Sequence, residues 1–313
     1  DAFNQKGEVI MMKGVPETEQ RNPASYQIDT KTTAEILTII NNEDRKVPDA
    51  VAQEIPQLTK LVDHAVAIFE NGGRLFYIGA GTSGRIGVLD ASECPPTYGV
   101  SPEMIQGLIA GGDEALRRSI EGAEDDSLMG IEQLRTAEFS AKDMLIGITA
   151  SGFSPYVLGA LRYAHSIGSI TAALSCNKEA CTFKIADYAV FLPVGPEIIT
   201  GSTRMKAGTA QKLVLNMIST TAMIKLGKVY NNFMIDLMPL NTKLIERSKR
   251  LIDEITGCGA ITAAQIFDAS GGKIRTAVVM AALHVTRNEA ERLLQKGKNN
   301  INAAFKIYNE EGQ

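Results

Sequence analysis

Apolar runs and amphipathic segments alternate along most of the chain, from residue 74 to residue 226. Several short apolar runs are bounded by glycine, proline or polar turn residues, which is typical of buried strands. These runs cover residues 74–78, 104–110, 143–150, 169–175 and 188–192. Apolar residues recur every three to four positions in the segments 113–134, 155–167 and 203–226, which predicts helices there. Because strands joined by helical crossovers form parallel sheets covered on both faces, the chain predicts an α/β fold, a three-layer αβα sandwich around a five-stranded parallel sheet.

The segment before the first strand has a different pattern. We exclude residues 1–11 from the fold as an upstream extension. Residues 17–29 have no apolar period, which indicates an extended arm. Helical periodicity then predicts one helix at 30–41 and a longer one at 48–71, which ends at Asn-Gly-Gly.

The segment after residue 238 shows no strand pattern. Short amphipathic helices are predicted there at 242–255, 260–267, 274–283 and 287–294. The sequence therefore predicts three parts, which are an N-terminal arm and helix (1–46), a sheet domain (47–240) and a small helical module (241–313).

The composition of the 313-residue chain is that of an ordinary globular protein. Hydrophobic residues make up 44% and charged residues 22%, which is sufficient for a large core. The net charge of −4 gives no reason to expect a nucleic-acid partner. No apolar run approaches the ~18–20 residues that a membrane helix needs, so we expect no membrane partner.

The cysteines and histidines point to no metal site. Cys94, Cys176, Cys181 and Cys258 form no CxxC pair and lack zinc spacing. Scattered cysteines in a chain of this size are typical of a cytoplasmic protein with reduced thiols. The three histidines are far apart and lie in no ligand motif, so they are expected to be ordinary surface or core residues.

Three loops are rich in small residues and hydroxyl groups. They read GTSGR at 81–85, ASG at 150–152 and GSTRMKAGT at 201–209, and each leads into a predicted helix. Backbone amides, a helix dipole and Ser or Thr hydroxyls together hold a phosphate without a metal. The candidate phosphate-binding residues are Gly81, Thr82, Ser83, Gly84, Ser151, Gly152, Ser202 and Thr203.

The first loop also fits a second pattern. Gly79, Gly81 and Gly84 spell GxGxxG after a predicted strand, which is the fingerprint of dinucleotide-binding folds. That interpretation requires an acidic residue after the next strand, where Asp113 is the nearest candidate, and it does not explain the hydroxyl at Ser151. A GxxxxGK[ST] loop is absent from the sequence as well. The hydroxyl groups therefore favour the phosphate of a sugar over a nucleotide.

Two acidic segments are candidates for general acid–base chemistry. Glu93 lies in DASECPPTYG, where Pro95 and Pro96 are predicted to end the helix, so that its negative charge would oppose the helix dipole. Glu124 lies in EGAEDD, predicted to be in the middle of a helix, and a solvated acidic face explains this segment equally well. The pattern alone does not select the pair.

Two long motifs carry a resemblance to a known family. GAGTSGRIGVLDASECPPTYG and GPEIITGSTRMKAGTAQKLVLNM resemble the signatures of the N-acetylmuramic acid 6-phosphate etherases, which are sugar isomerase (SIS) fold enzymes of bacterial cell-wall recycling. The N-terminal segment and the helical tail also resemble the family, whose tail is similar to a ubiquitin-associated bundle. One departure is Phe153, where many members carry arginine, and this puts a charged contact from that position in doubt.

The resemblance implies an activity and a site. It implies a homodimer with active sites near the subunit interface, no metal or cofactor, and cleavage of a lactyl ether to N-acetylglucosamine 6-phosphate and D-lactate. It places the two catalytic residues at Glu93 and Glu124. We assign Glu124 as the base at C2 of the sugar and Glu93 as the acid for the departing lactyl oxygen. Lys206 or Arg204 would meet the lactyl carboxylate.

Two other functions fit the same fold. A phosphosugar aldose–ketose isomerase needs one base and no leaving group, so it would release no lactate. A non-catalytic sugar-phosphate sensor, similar to the glucokinase regulatory protein, would bind the sugar without turnover.

Overall fold

Residues 15–236 and 242–311 are described by a computed structural model. The chain divides into two units, of which the first holds the described residues up to Ser92 together with Pro102–Ser219. The second holds Glu93–Ser101 and the described residues from Thr220 onward. The extension predicted for 1–11 and the boundary predicted at 240 lie outside the described residues. The three predicted domains remain a prediction.

The first unit begins with short turns and three helices. The segment predicted as an extended arm forms single 3-10 turns, and helix α1 follows with a capping box in which Thr32 and Glu35 bind each other's backbone amides. The predicted helix over 48–71 is two helices, because Pro56 has no amide to continue the preceding turn and instead lies in the first turn of the next helix. The helices are α1 (Thr33–Asp44), α2 (Lys46–Ala52) and α3 (Ile55–Glu70).

A five-stranded parallel sheet forms the centre of the first unit, as predicted. Its spatial order is β2-β1-β3-β4-β5, with every neighbouring pair parallel. All residues of β1 and β3 are buried, which explains their continuous apolar runs. The strands are β1 (Leu75–Gly79), β2 (Ile105–Ile109), β3 (Met144–Ile148), β4 (Ile170–Ser175) and β5 (Tyr188–Phe191).

Helices cover both faces of this sheet and complete the three predicted layers. The four that follow the first strand are α4 (Gly81–Tyr98), α5 (Ser127–Thr136), α6 (Pro155–Ser166) and α7 (Lys206–Lys225). On one face α4 approaches β1 so closely that a Cβ on Gly87 would lie 3.0 Å from the Cβ of Tyr77. On the other face a Cβ on Gly147 of β3 would lie 2.8 Å from Val157 of α6. Small residues therefore set the distance between the layers.

Two predicted helices differ from the structure in ways that matter for the glutamates. The prediction that Pro95 and Pro96 end a helix was wrong, because α4 continues through both prolines to Tyr98. A proline fixes φ near its helical value, and the chain leaves the helix only at Gly99, whose φ is +61° and whose amide binds the Pro95 carbonyl. Glu93 therefore does not lie at a helix C-terminus.

The continuous helix predicted over 113–134 was also wrong. The segment contains two short 3-10 turns, Asp113–Leu116 and Ala123–Asp125, before α5 begins. Gly122 adopts a φ of +74°, which no right-handed helix allows, and the Asp126 side chain accepts hydrogen bonds from the first amides of α5.

The second unit contains a small hairpin and a helical bundle. The hairpin pairs β6 (Val229–Tyr230) with β7 (Phe233–Met234) in antiparallel fashion. The helices are α8 (Thr242–Thr256), α9 (Ala260–Ala269), α10 (Ile274–Leu283), α11 (Arg287–Lys296) and α12 (Ile301–Glu311). The first four were predicted, whereas α12 was missed. Their apolar faces form one core that includes Ile252, Val278 and Leu293. Across the described ranges 15–236 and 242–311, none of the helices is both long enough and apolar enough to span a membrane.

Candidate functional site

The strand order creates a switch point at the middle of the sheet. The chain passes from β1 to β2 on one side and then places β3 on the other side of β1. Gly79 of β1 is paired with Ile148 of β3, so both strands end at the same level. Open α/β sheets bind ligands outside the carboxyl ends of their strands at such a point. The loops at 81–85 and 150–152 follow these two strands.

The glycines of the first loop allow a close approach between strand and helix. A Cβ on Gly79 would lie 2.8 Å from the amide nitrogen of Gly84, and a Cβ on Gly84 would overlap the Gly79 carbonyl oxygen. Gly81, the first residue of α4, has a φ of +54°. The GxGxxG pattern therefore has a packing reason in this fold that is independent of any nucleotide.

The hydroxyl residues of the first loop face the start of α7. Ser83 is 7% exposed, and its Oγ donates to Oε1 of Gln211 at 2.9 Å. A Cβ on Gly208 would lie 3.3 Å from the Thr82 side chain and 3.7 Å from the Thr203 carbonyl oxygen. The structure thus packs the GTSGR loop against the GSTRMKAGT loop.

The second loop is held in a single conformation by its neighbours. Gly152 has a φ of +82°, and a Cβ there would overlap Ala180, so no larger residue fits. Its amide donates to Thr149 Oγ1 at 3.2 Å. The Ser151 side chain is half-buried, and its Oγ accepts from the Phe153 amide at 3.3 Å. Phe153 therefore contributes its backbone to this turn.

The third loop ends at a helix N-terminus that already holds a carboxylate. Glu197 is 1% exposed, and its two oxygens accept from the amides of Lys206 and Ala207 at 3.1 and 2.9 Å. Burial raises the pKa of Glu197 above its ordinary value, and the hydrogen bonds from these two amides offset only part of that increase. These two amides of α7 therefore bind a carboxylate of the same chain. Ser202 and Thr203, both half-buried, remain the predicted contacts of this loop.

Lys206 has a partner that the sequence did not indicate. It is 2% exposed, and its Nζ donates to Glu43 Oε2 at 2.7 Å. Asn22 Nδ2 donates to the same oxygen at 2.8 Å and to the Pro196 carbonyl at 2.9 Å. The Lys206 ammonium thus fixes α1 and the N-terminal segment to α7. The predicted contact between Lys206 and a substrate carboxylate stays a prediction.

The buried ion pair with Lys206 lowers the pKa of Glu43. Burial by itself would raise the pKa of Glu43, but hydrogen bonds from Lys206, Lys46 and Asn22 outweigh it and lower the pKa to about 2. A carboxyl whose pKa falls on folding stabilises the protein above its unfolded pKa, near 4.5. That stabilisation is lost as the pH falls from about 4.5 to about 2.

We expect Glu43→Gln to destabilise the protein by roughly 3 kcal/mol at pH 7, because it leaves the Lys206 ammonium buried without an opposite charge. The difference from wild type should shrink as the pH falls toward 2, where wild-type Glu43 is protonated as well. Urea unfolding at pH 7, 4 and 3 measures both effects. The exposed helical Glu70→Gln is the control, with an expected change within about 0.5 kcal/mol. Equal stability of Glu43→Gln and wild type at pH 7 contradicts the proposed role of the pair.

Glu124 lies beside the second loop in the first unit. It is exposed, within the 3-10 turn Ala123–Asp125. Its carbonyl oxygen accepts from Ser154 Oγ at 3.3 Å, and Ser154 precedes α6 and follows Ser151 by three residues. The turn thus fixes the backbone of Glu124 to the ASG loop and leaves its side chain exposed.

Glu93 belongs to the second unit. It lies inside α4, two residues before the first of the two prolines, and it is exposed. The next residue, Cys94, is buried, and so is Tyr98 one turn later, whose hydroxyl donates to Thr220 Oγ1 at 3.3 Å. The buried side of this turn thus fixes the helix, and Glu93 lies on its exposed side.

Sequence reasoning missed the residues that support the loops. Gln211 is polar but occupies the apolar stripe of α7 between Ala210 and Val214, all of them buried, and that exception was a usable signal. Glu43 and Glu197 carried no such signal, because their partners are defined by the folded structure. Of these three residues, Gln211 is therefore the one that the sequence could have indicated.

The chain is similar to several known proteins. A family model of the glucokinase regulatory protein N-terminal SIS domain matches residues 57–165. Among solved structures, a phosphoheptose isomerase from Francisella tularensis is 19% identical, with a TM-score of 0.49, covering 62% of this chain and all of that one.

Curated relatives are much more similar. The N-acetylmuramic acid 6-phosphate etherase of Photorhabdus laumondii is 52% identical over 89% of this chain and 93% of its own length. The etherase of the same name from an Exiguobacterium species is 49% identical over 92% of this chain and 98% of its own length. These values confirm the resemblance that the two long motifs carried. The chain belongs to the family of the N-acetylmuramic acid 6-phosphate etherases.

Proposed function

We propose that this protein cleaves the D-lactyl ether of N-acetylmuramic acid 6-phosphate, giving N-acetylglucosamine 6-phosphate and D-lactate in the recycling of cell-wall amino sugars. The observation that carries the proposal is an identity of about one half to curated etherases over about nine-tenths of the chain. The hydroxyl-rich loops at the switch point of the sheet support a phosphorylated sugar as the ligand. The protein is thus a carbon–oxygen lyase.

The chemistry explains why two carboxyl groups are needed. An alkyl ether resists hydrolysis because its alkoxide is a poor leaving group. Opening of the sugar ring exposes an aldehyde at C1, which acidifies the proton on C2. Removal of that proton expels the lactyl oxygen from C3 and leaves an unsaturated aldehyde. Water then adds its hydroxyl at C3 and a proton at C2, so one water is consumed for each lactate released.

We assign the two proton transfers to Glu124 and Glu93. Glu124 acts as the base that takes the C2 proton, and Glu93 acts as the acid that gives a proton to the departing lactyl oxygen and then as the base that activates the water. Both side chains are exposed in the single chain and accessible to a substrate. Each transfer typically accelerates a reaction by about 10²–10⁴-fold, equivalent to roughly 3–5 kcal/mol of barrier.

The phosphate holds the sugar in place for these transfers. Ser83, Ser151, Ser202 and Thr203 would donate hydroxyl hydrogen bonds to its oxygens, and Gly81, Thr82, Gly84 and Gly152 would bring the backbone close. A Cβ on Gly208 would lie 3.3 Å from the methyl carbon of Thr82, so the first loop packs against the third, and this close packing supports one shared anion site.

The same proposal includes a homodimer located in the cytoplasm. Leu89 on α4 and Met217 on α7 are apolar yet 52% and 40% exposed. These exposed apolar side chains support a subunit interface that includes α4 and α7. The four cysteines form no disulfide in the described part of the chain, which supports a reducing compartment.

Incubation of the purified protein with N-acetylmuramic acid 6-phosphate tests the proposed activity. We expect D-lactate and N-acetylglucosamine 6-phosphate in equal amounts, measured by a lactate assay and mass spectrometry. An isomerised sugar that keeps its lactyl group would indicate an aldose–ketose isomerase instead. Tight binding of the sugar with no product would indicate a sensor.

Ser83→Ala is expected to raise KM about tenfold or more and to leave kcat within a few-fold of wild type. A hydrogen bond to a charged group contributes about 1.5–3 kcal/mol, and a loss of 1.4 kcal/mol weakens binding about tenfold. Steady-state kinetics with N-acetylmuramic acid 6-phosphate provide the measurement. The control is Ser166→Ala, an exposed serine at the end of α6 whose hydroxyl donates to the Tyr163 carbonyl of its own helix. An unchanged KM in Ser83→Ala would remove the first loop from phosphate binding.

A further inference from the structure

Ser83 and Gln211 form a buried polar pair between the starts of α4 and α7. Ser83 is 7% exposed and Gln211 is 1% exposed. The Ser83 hydroxyl donates its only proton to Gln211 Oε1 at 2.9 Å. Gln211 Nε2 is buried and has no hydrogen-bond partner in the described part of the chain. The carboxamide oxygen of Gln211 therefore has a hydrogen-bond partner, whereas its amide nitrogen has none among the described residues.

This arrangement conflicts with phosphate binding by Ser83. A phosphate oxygen accepts hydrogen bonds, so Ser83 must donate its proton to the ligand. While that proton is given to Gln211, the hydroxyl offers the ligand only lone pairs. Some change in the pair must free the proton before Ser83 can hold an anion.

A half turn of the Gln211 carboxamide about its Cγ–Cδ bond provides that change. The turn exchanges the positions of Oε1 and Nε2, so the amide donates to Ser83 Oγ and the hydroxyl proton becomes available. The orientation in the structure leaves Nε2 buried without a partner among the described residues, which costs free energy, and the half turn pairs this amide with Ser83 Oγ. A bound anion selects the second orientation, because only that orientation lets Ser83 donate outward.

We propose that Gln211 is a positioning residue that directs the Ser83 hydroxyl toward the phosphate of the sugar. The amide donates to Ser83 Oγ, and Ser83 donates to a phosphate oxygen, which gives two aligned hydrogen bonds that strengthen each other. The nature of the ligand rests on the proposed function, whereas the pair itself is seen in the structure. Gly208 and Thr82, which pack beside the pair, keep the two helices close enough for this contact.

Two substitutions of Gln211 separate the directing role from simple packing. Gln211→Met keeps the length of the side chain and removes both polar groups, and Gln211→Glu keeps only acceptors and adds a negative charge. We expect Gln211→Met to raise the Kd for N-acetylglucosamine 6-phosphate about tenfold with kcat for lactate release within a few-fold of wild type. We expect Gln211→Glu to raise that Kd about a hundredfold, because its carboxylate retains the Ser83 proton and repels the phosphate.

Isothermal titration calorimetry with N-acetylglucosamine 6-phosphate measures these effects without requiring turnover. Gln53→Met, at an exposed position of the first unit, is the control and should bind like wild type. Circular dichroism and the Tm show whether each variant is folded. The double variant Ser83→Ala with Gln211→Met tests the mechanism, since Gln211→Met should add no further weakening once the hydroxyl is gone.

The possible outcomes are distinct. An unchanged Kd in folded Gln211→Met overturns the inference, even if its Tm falls. The same increase in Kd with and without the Ser83 hydroxyl overturns it as well, because Gln211 would then act independently of Ser83. A wild-type protein that binds the sugar phosphate and releases lactate leaves the proposed function intact in both cases. A wild-type protein that binds no sugar phosphate overturns the proposed function together with the inference.

Discussion

Glu93→Ala is expected to lower lactate release by about 10²–10⁴-fold while C2 of the sugar still exchanges its proton with solvent. The variant lacks the acid that protonates the lactyl oxygen, so the C3–O bond breaks slowly. The base at Glu124 is intact and can still remove and return the C2 proton. Incubation of N-acetylmuramic acid 6-phosphate in D₂O, followed by proton NMR and a D-lactate assay, measures both reactions in one sample.

The control for this variant is Glu70→Ala, an exposed helical glutamate at the end of α3. It should release lactate and exchange the C2 proton at wild-type rates. Lactate release by Glu93→Ala at nearly the wild-type rate would remove Glu93 from the mechanism.

Glu124→Gln is expected to slow both reactions, with lactate release reduced by about 10²–10⁴-fold and C2 exchange reduced in parallel. Elimination cannot begin without removal of the C2 proton, and the amide is no base. The same D₂O experiment gives the result, so the two variants are distinguished by exchange alone.

Glu121→Gln is the matched control, since Glu121 is an exposed glutamate in the same acidic segment. It should behave like wild type. If Glu124→Gln retains C2 exchange and Glu93→Ala loses it, the roles of the two glutamates are reversed.

Most of the sheet could be predicted from the sequence because buried parallel strands are continuous apolar runs between turn residues. The bounds of β1 and β3 differ from the predicted runs by one or two residues. Helix ends were harder, since they depend on single residues. Gly122, with a positive φ, and Asp126, which caps α5, were both visible in the sequence and were overridden by the apolar stripe.

Prolines gave a wrong helix end in α4, and a proline that marks the start of α3 was not used in the prediction. Pro95 and Pro96 lie inside α4, because the fold keeps the helix intact at the cost of two backbone hydrogen bonds. Pro56 marks the first turn of α3, where a proline amide is not needed.

The candidate site was predictable only as far as its parts are local in sequence. A hydroxyl residue in a glycine-containing loop after a predicted strand is a recognisable local pattern, so Ser83 and Ser151 could be predicted as site residues. The ion pair between Glu43 and Lys206 joins residues 163 positions apart, and no pattern in either segment indicates the other. The choice of Glu93 and Glu124 came from the resemblance, since the local pattern did not select the pair and explained Glu124 equally well as part of a solvated acidic face.

The most direct test of the elimination mechanism is the position of oxygen-18 after turnover of N-acetylmuramic acid 6-phosphate in ¹⁸O-labelled water. Elimination breaks the bond between C3 and the ether oxygen, so lactate keeps that oxygen, and the water that adds back supplies a new one to C3. We therefore predict unlabelled D-lactate and a labelled C3 hydroxyl in N-acetylglucosamine 6-phosphate, resolved by mass spectrometry and by the carbon-13 isotope shift at C3. Label in the lactate hydroxyl with none at C3 would mean that the bond on the lactyl side had broken, and it would contradict the mechanism.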